Sequence, residues 1–203
     1  MFVLVVAIGL ISCKDKKKAD SNEIAEQKIT GTVRDTAKDS AEIRTVITDF
    51  YNWYNKNYAK LQEYHLYSGI KKKDAPPYKI NWDEVAKYQD FIRTSVPQLG
   101  EEFLKNQKHF FEKCDSAFKV DLKDEIPYGF DYDWYTNSQE ETQYLVDEIN
   151  KSLPWTITWS GDNAWVEVKT VYDNNGKKTT ETAISIAMKK ENGKWKIAKT
   201  WSE

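Results

Sequence analysis

Residues 131–140, Asp-Tyr-Asp-Trp-Tyr-Thr-Asn-Ser-Gln-Glu, set four oxygen-bearing side chains close together in a chain of 203 residues. Asp131, Asp133, Asn137 and Glu140 carry carboxylate and amide oxygens at a spacing able to wrap a calcium ion. Two features oppose that reading. The glycine that a tight calcium loop needs in its middle is missing, and the last acid comes too early. A metal-free loop in which Asn137 or Ser138 caps a helix is therefore the favoured expectation. Two cysteines, Cys13 and Cys114, and two well separated histidines, His65 and His109, are too few for a thiolate zinc site. No cofactor is expected. The chain also lacks a Gly-x-Ser-x-Gly elbow, a phosphate loop and a dinucleotide fingerprint, which argues against hydrolase, kinase and Rossmann chemistry.

Aromatic residues are the second chemical resource. Eight tryptophans and twelve tyrosines invite a carbohydrate platform or an aromatic cage, although most of these rings must serve the core. Tyr64, Tyr67, Tyr128, Tyr132, Trp134 and Tyr135 lie in irregular segments, where binding residues collect, and form the candidate ligand- or partner-binding surface. The plain alternative is that they staple loops to the sheet. With 30 basic and 32 acidic side chains, the net charge of -2 supplies no field to draw in nucleic acid, and none is expected as a partner.

At the start of the chain, the apolar run Phe2 to Ile11 is half the length needed to span a bilayer as a helix. It ends in Leu10-Ile11-Ser12-Cys13, followed by "KDKKKADSNE". That order resembles the lipobox of bacterial lipoproteins, although only Met1 stands where a basic leader would. The resemblance implies that residues 1–12 are a signal peptide and that the Cys13 thiol carries a diacylglyceryl group. Cys13 would then become the acylated N-terminus, palmitate being the expected kind of acyl chain. A membrane-anchored envelope protein facing the periplasm or the cell exterior follows. Residues 13–38 are charged and polar, with only isolated Ile24, Ile29 and Val33, and read as a flexible tether. Cys114, left without a partner, reads as a core thiol.

The elements that must position these residues begin with a helix. Asp39 and Glu42 form a capping-box pattern, followed by Ile43, Val46, Ile47, Phe50, Tyr54, Tyr58 and Leu61 at helical spacing. A loop follows at "SGIKKKDAPPYK". A second helix is predicted from Asn81, with Trp82, Val85, Tyr88 and Phe91 or Ile92 inward. A third is predicted from a Ser95/Gln98 cap, with Leu99, Phe103, Phe110, Phe111, Cys114 and Phe118 as its stripe. A long irregular segment then leads to a short fourth helix within "QEETQYLVDEINKS". From Leu153 the period changes to two. Trp155, Ile157 and Trp159 share a face, as do Val166 and Val168, then Ile184, Ile186 and Met188, and lastly Trp195, Ile197 and Trp201. Helices followed by an antiparallel meander give one α+β domain over 39–203, with N-terminal helices packed on a curved sheet of about four strands.

The endings "GDNAWVEVKTVYDN" and "TETAISIAMKKENGKWKIAKTWSE" resemble the closing hairpins of the nuclear transport factor 2-like, cystatin-like cone fold. Gly193, Trp195 and Ile197 match its Gly-x-Trp-x-Ile last strand. Together with "FYNWYNKNY" and "FDYDWYTNSQE", they look like a family of secreted bacterial lipoproteins of unknown function. That resemblance implies a cone hosting enzymes and noncatalytic binders alike. Its enzymes set an Asp-His or Tyr-Asp pair in the open end, and neither pair can be mapped from the sequence. The favoured expectation is a noncatalytic domain binding an envelope protein or a small ligand. The alternative is a cavity enzyme using Asp131 or Asp133 as general acid/base, with His65 as its partner.

Overall fold

The computed structural model describes residues 35–68, 75–120, 122–123, 127–151 and 155–202. The expected signal segment, Cys13 and the tether as far as residue 34 lie outside them. Four helices precede four strands: α1 (Thr36–Leu61), α2 (Trp82–Ser95), α3 (Glu101–Phe118), α4 (Thr142–Asn150), β1 (Trp155–Ser160), β2 (Asn163–Asn174), β3 (Lys177–Glu191) and β4 (Lys194–Lys199). The strands form a single antiparallel sheet in chain order. The architecture is α+β, with helices packed on the sheet, as the change of period implies.

Helix α1 begins three residues before the expected cap. Asp35 is the N-cap, its carboxylate accepting from the Lys38 amide at 3.0 Å. Asp39 lies inside the first turn, buried, with the Lys190 ammonium 2.9 Å away. Glu42 accepts from the Trp195 amide at 2.9 Å instead of reaching back along its own helix. Both acids of the apparent capping box thus serve the sheet, and an acid at the next turn upstream takes over the cap.

Helix α2 starts where the sequence places it, with Asn81 accepting from the Glu84 amide. Val85, Tyr88 and Ile92 are buried, whereas Trp82 in the first turn stays exposed. The start of α3 differs from expectation. Ser95 closes α2, and Gln98 to Gly100 run beside β4, exchanging backbone hydrogen bonds with Ile197. The cap of α3 is Gly100, and the Glu191 carboxylate from the end of β3 accepts from the Glu101 and Glu102 amides at 2.9 and 3.0 Å. A Cβ on Gly100 would sit 2.5 Å from a Glu191 oxygen, so a larger residue there would push this carboxylate off the helix start.

The inner face of the sheet is the expected one: Val166, Val168, Ile184, Ile186, Met188, Trp195 and Ile197 are all buried. Helices α1 and α3 lie against β4, and α4 lies against β2. The Asn175-Gly176 and Asn192-Gly193 turns have positive φ at both positions, the two-residue geometry whose twist matches paired strands. Trp201, expected in the last strand, lies beyond it. A register shift between Ala187 and Met188 disturbs the alternation, β4 ends at Lys199, and Trp201 packs edge-on against Phe103 at 5.5 Å.

Replacing Glu191 by alanine strips α3 of its N-terminal acceptor while leaving both strands intact. The expected loss is about 1 to 2 kcal/mol of unfolding free energy by urea denaturation, with a smaller loss for Glu191→Gln. An unchanged urea midpoint for Glu191→Ala would show that water replaces the cap without penalty.

Candidate functional site

The irregular segment between α3 and α4 is fixed by one buried ring. Tyr135 is 2% exposed. Its hydroxyl shares a 2.6 Å hydrogen bond with the Tyr88 hydroxyl, its carbonyl accepts from the Tyr51 hydroxyl at 2.7 Å, and its ring stacks on Phe103 at 5.7 Å. Asp133 is held next to it. The Tyr54 hydroxyl donates to one carboxylate oxygen at 2.7 Å, and the Tyr135 amide donates to the other at 2.8 Å. Backbone hydrogen bonds in both directions between Asp133 and Ser138 close a tight turn, in which Asn137 has a φ of 51°. The turn is tied to the end of the sheet. Asn137 Oδ1 accepts from the Ser202 amide and hydroxyl, and the Thr200 hydroxyl donates to the Trp134 carbonyl.

On α1, Tyr51, Tyr54 and Tyr58 follow at helical spacing, so successive hydroxyls meet Tyr135, then Asp133, then solvent. Past the end of that stripe the core opens. A cleft of about 970 Å³ lies between the C-terminal half of α1, residues 64–67, Tyr88 of α2 and residues 130–143. Rings form its walls: Tyr54 and Tyr58 stand at 90°, and Phe130 and Trp134 at 87°. Among the described residues, none from a strand lines it.

Among the described residues, the charged groups of the lining have one sign. Asp131, Asp133, Glu140 and Glu141 line the cleft, and no lysine, arginine or histidine is among the described residues that do. Burial raises the proton affinity of Asp133 above the ordinary aspartate range, outweighing the hydrogen bonds from Tyr54, the Tyr135 amide and Thr136 that favour the carboxylate. Burial first, and the Asp133 charge second, raise the Tyr51, Tyr54 and Tyr58 phenols. Burial pushes Tyr132 up to about 12, with Tyr128 and the Asp131 charge adding to the effect. All of these tyrosines are neutral donors at physiological pH.

Of the aromatic residues singled out from the sequence, Tyr64, Tyr67, Tyr132, Trp134 and Tyr135 line the cleft. Tyr128 does not, and is 54% exposed. Tyr135 is a buried hub and not a surface ring. Asp131, Asp133 and Glu140 also line the cleft, whereas His65 is exposed and outside its lining. Of the four residues of the calcium reading, Asp133 and Asn137 accept the hydrogen bonds described above. No three His, Cys, Asp or Glu side chains among the described residues are grouped to hold a metal. A tyrosine and an aspartate are hydrogen-bonded here, Tyr54 to Asp133. Tyr54, Tyr58 and Tyr88 were absorbed into helix stripes. The available signal was that the α1 stripe ends in tyrosines, whose polar tips suit a place where the core meets solvent. Cys114 is fully buried, and burial pushes its thiol up to about 12, which keeps it protonated. No known protein family, characterised protein or solved structure matches the chain.

Asp133 generates a pH test whose sign is determined by its raised proton affinity. Over the window from 3.8 up through the folded-state value, the folded protein holds a proton that the unfolded chain has released. Wild-type stability therefore carries a term that falls as pH rises through that window and is flat above it. Asp133→Asn is expected to abolish that fall in urea unfolding measured across the window. Tyr54→Phe is expected to cost about 1.5 to 3 kcal/mol at pH 7, where the hydrogen bond reaches a charged group, and less at low pH. Parallel pH profiles for wild type and Asp133→Asn would contradict this account of Asp133.

Proposed function

We propose that this is a lipid-anchored cell-envelope protein whose α+β domain is a noncatalytic receptor for a small organic ligand, held in the tyrosine-lined cleft. The single observation that carries the reading is the cleft. Its volume lies in the range of small-molecule sites, roughly 300 to 1,000 Å³, and its walls are rings with a few converging polar groups. Concavity favours a small ligand over the flat face of an envelope protein.

An acid-base enzyme is supported by one feature, the raised proton affinity of Asp133 beside Tyr54. Against it, both Asp133 oxygens are already engaged within the protein, and His65 stands outside the cleft. The observations therefore favour holding over turnover.

Anchoring is tested by growing cells in labelled palmitate. Label is expected in the wild-type chain and in the membrane fraction, and in neither for Cys13→Ala; unlabelled wild type in the soluble fraction would overturn it. The cleft is tested with the purified full chain in nonionic detergent against a small-molecule library, read as thermal stabilisation. Compounds that raise Tm are expected to lose at least tenfold in affinity on Tyr58→Ala, a change at a 41% exposed ring. Equal binding by this variant, or a library without a stabilising compound, would overturn the cleft as the binding site.

A further inference from the structure

We infer a second binding site, on the outer face of the sheet, for a neutral pyranose sugar with equatorial hydroxyls. It is separate from the tyrosine-lined cleft and does not depend on it. A hollow of about 360 Å³ lies there, within the range of small-molecule sites, roughly 300 to 1,000 Å³.

The hollow follows from side-chain size. Alternate residues of each strand form the buried face, and those between them point the other way. Across the outer face one cross-strand row reads Thr158 on β1, Trp165 on β2 and Ala187 on β3, so a large ring stands between two short neighbours. Ala198, the β4 residue that the register shift leaves without a strand partner, extends the floor with a second methyl group. Helix α3 supplies the far wall through Glu102 and Asn106, and Asn106 is fixed there by donating to the Ala198 carbonyl at 3.0 Å. Trp165 is 45% exposed. The tryptophans on the other face are engaged within the protein: the Arg44 guanidinium lies over Trp155 at 4.5 Å, and Trp159 meets Trp195 at 5.6 Å. A single exposed ring is ordinary on a protein surface; one that walls a hollow floored by alanines offers its surface to a ligand.

The polar groups around the ring decide the chemistry. A pyranose with equatorial hydroxyls has a face of C–H bonds that stacks on an aromatic ring, and a rim of hydroxyls that both donate and accept hydrogen bonds. The ring here is Trp165, and the rim is matched by Thr158, Ser160 and Asn163 on one side and Asn106 on the other, side chains that also donate and accept. Glu102 and Lys189, the charged groups that line the hollow among the described residues, are ion-paired at 2.7 Å. Joined in this way they offer an acceptor and a donor to hydroxyls with little net charge, and so select neither an anion nor a cation. An apolar partner surface would take the same groups out of water without replacing their hydrogen bonds, at a cost that a sugar avoids.

Cellobiose and chitobiose are the probes, and mannitol, a polyol without a flat C–H face, is the control. Binding to the full chain in a polyoxyethylene detergent, which carries no sugar, is measured by calorimetry. At least one of the two disaccharides is expected to bind at least tenfold more tightly than mannitol. Trp165→Ala is expected to lose at least tenfold for that sugar and Thr158→Val at least threefold, both with Tm unchanged, whereas Tyr58→Ala in the cleft binds it as wild type does. Absence of disaccharide binding overturns the inference, as does equal binding of mannitol or full binding by Trp165→Ala. Loss of the sugar on Tyr58→Ala would put it in the cleft and overturn the second site. Sedimentation without sugar tests the other occupant: a dimer that Trp165→Ala dissociates would make this face an interface between copies, against the inference.

Discussion

The buried phenol of Tyr135 is the constraint on which the irregular segment and the cleft beside it depend. Eleven residues between Phe130 and Thr142 have no helix or strand to satisfy their backbone, and a segment of that length is costly to order. Tyr135 orders it from the middle. Its ring is packed by Phe50, Tyr54 and Phe103, and its polar atoms reach Tyr51 and Tyr88, so α1, α2 and α3 all grip one residue. Asp133 and Trp134 are then placed by chain connectivity, with little freedom of their own. The cleft is what remains between a pinned segment and a helix that continues past it.

A second set of interactions holds the helices to the sheet, and it is polar. Glu191 caps α3, Lys190 meets Asp39, Lys189 meets Glu102, and Glu42 takes the Trp195 amide. All four join the β3–β4 end of the sheet to the first two turns of α1 and the first turn of α3. Acids there also face the positive ends of the helix dipoles, so the same carboxylates serve a strand and a helix terminus. Apolar stripes decide that these helices lie on the sheet; the latches decide where along their own axes they stop. Register between layers is otherwise weakly specified by apolar contact alone, since burial has no direction.

That division explains what was legible in the sequence. The sheet was readable because its period is two and its turns carry Asn-Gly, both local signals that the fold keeps. Asn81 was readable as a cap because the helix it opens has no competing partner at that end. The Asp39/Glu42 box failed because it is local in pattern but long-range in use: Lys190 and the Trp195 amide offered those acids better partners than the helix start did. The cap of α3 lies 90 residues away in Glu191, and no local reading of Ser95 to Gly100 could have found it. For the site, the irregular segments announced themselves by composition, and five of the six aromatic residues chosen in them line the cleft. Its opposite wall was hidden. Tyr54 and Tyr58 obey the same helical spacing as Phe50, and spacing says which face a residue occupies, not where along the helix the core runs out.

The Tyr54-Asp133 contact sits at this boundary, and its energetics are unfavourable to the isolated domain. Burial penalises the Asp133 charge more than its internal hydrogen bonds compensate, so the carboxylate detracts from stability at neutral pH. An asparagine would fill the same space with less penalty. A group that weakens the resting fold is informative about function, because what strains the free state can favour the bound one. Thr200 and Ser202, just past β4, hold the turn beside this contact, so the sheet is a support and the cleft lies where the helix outruns it.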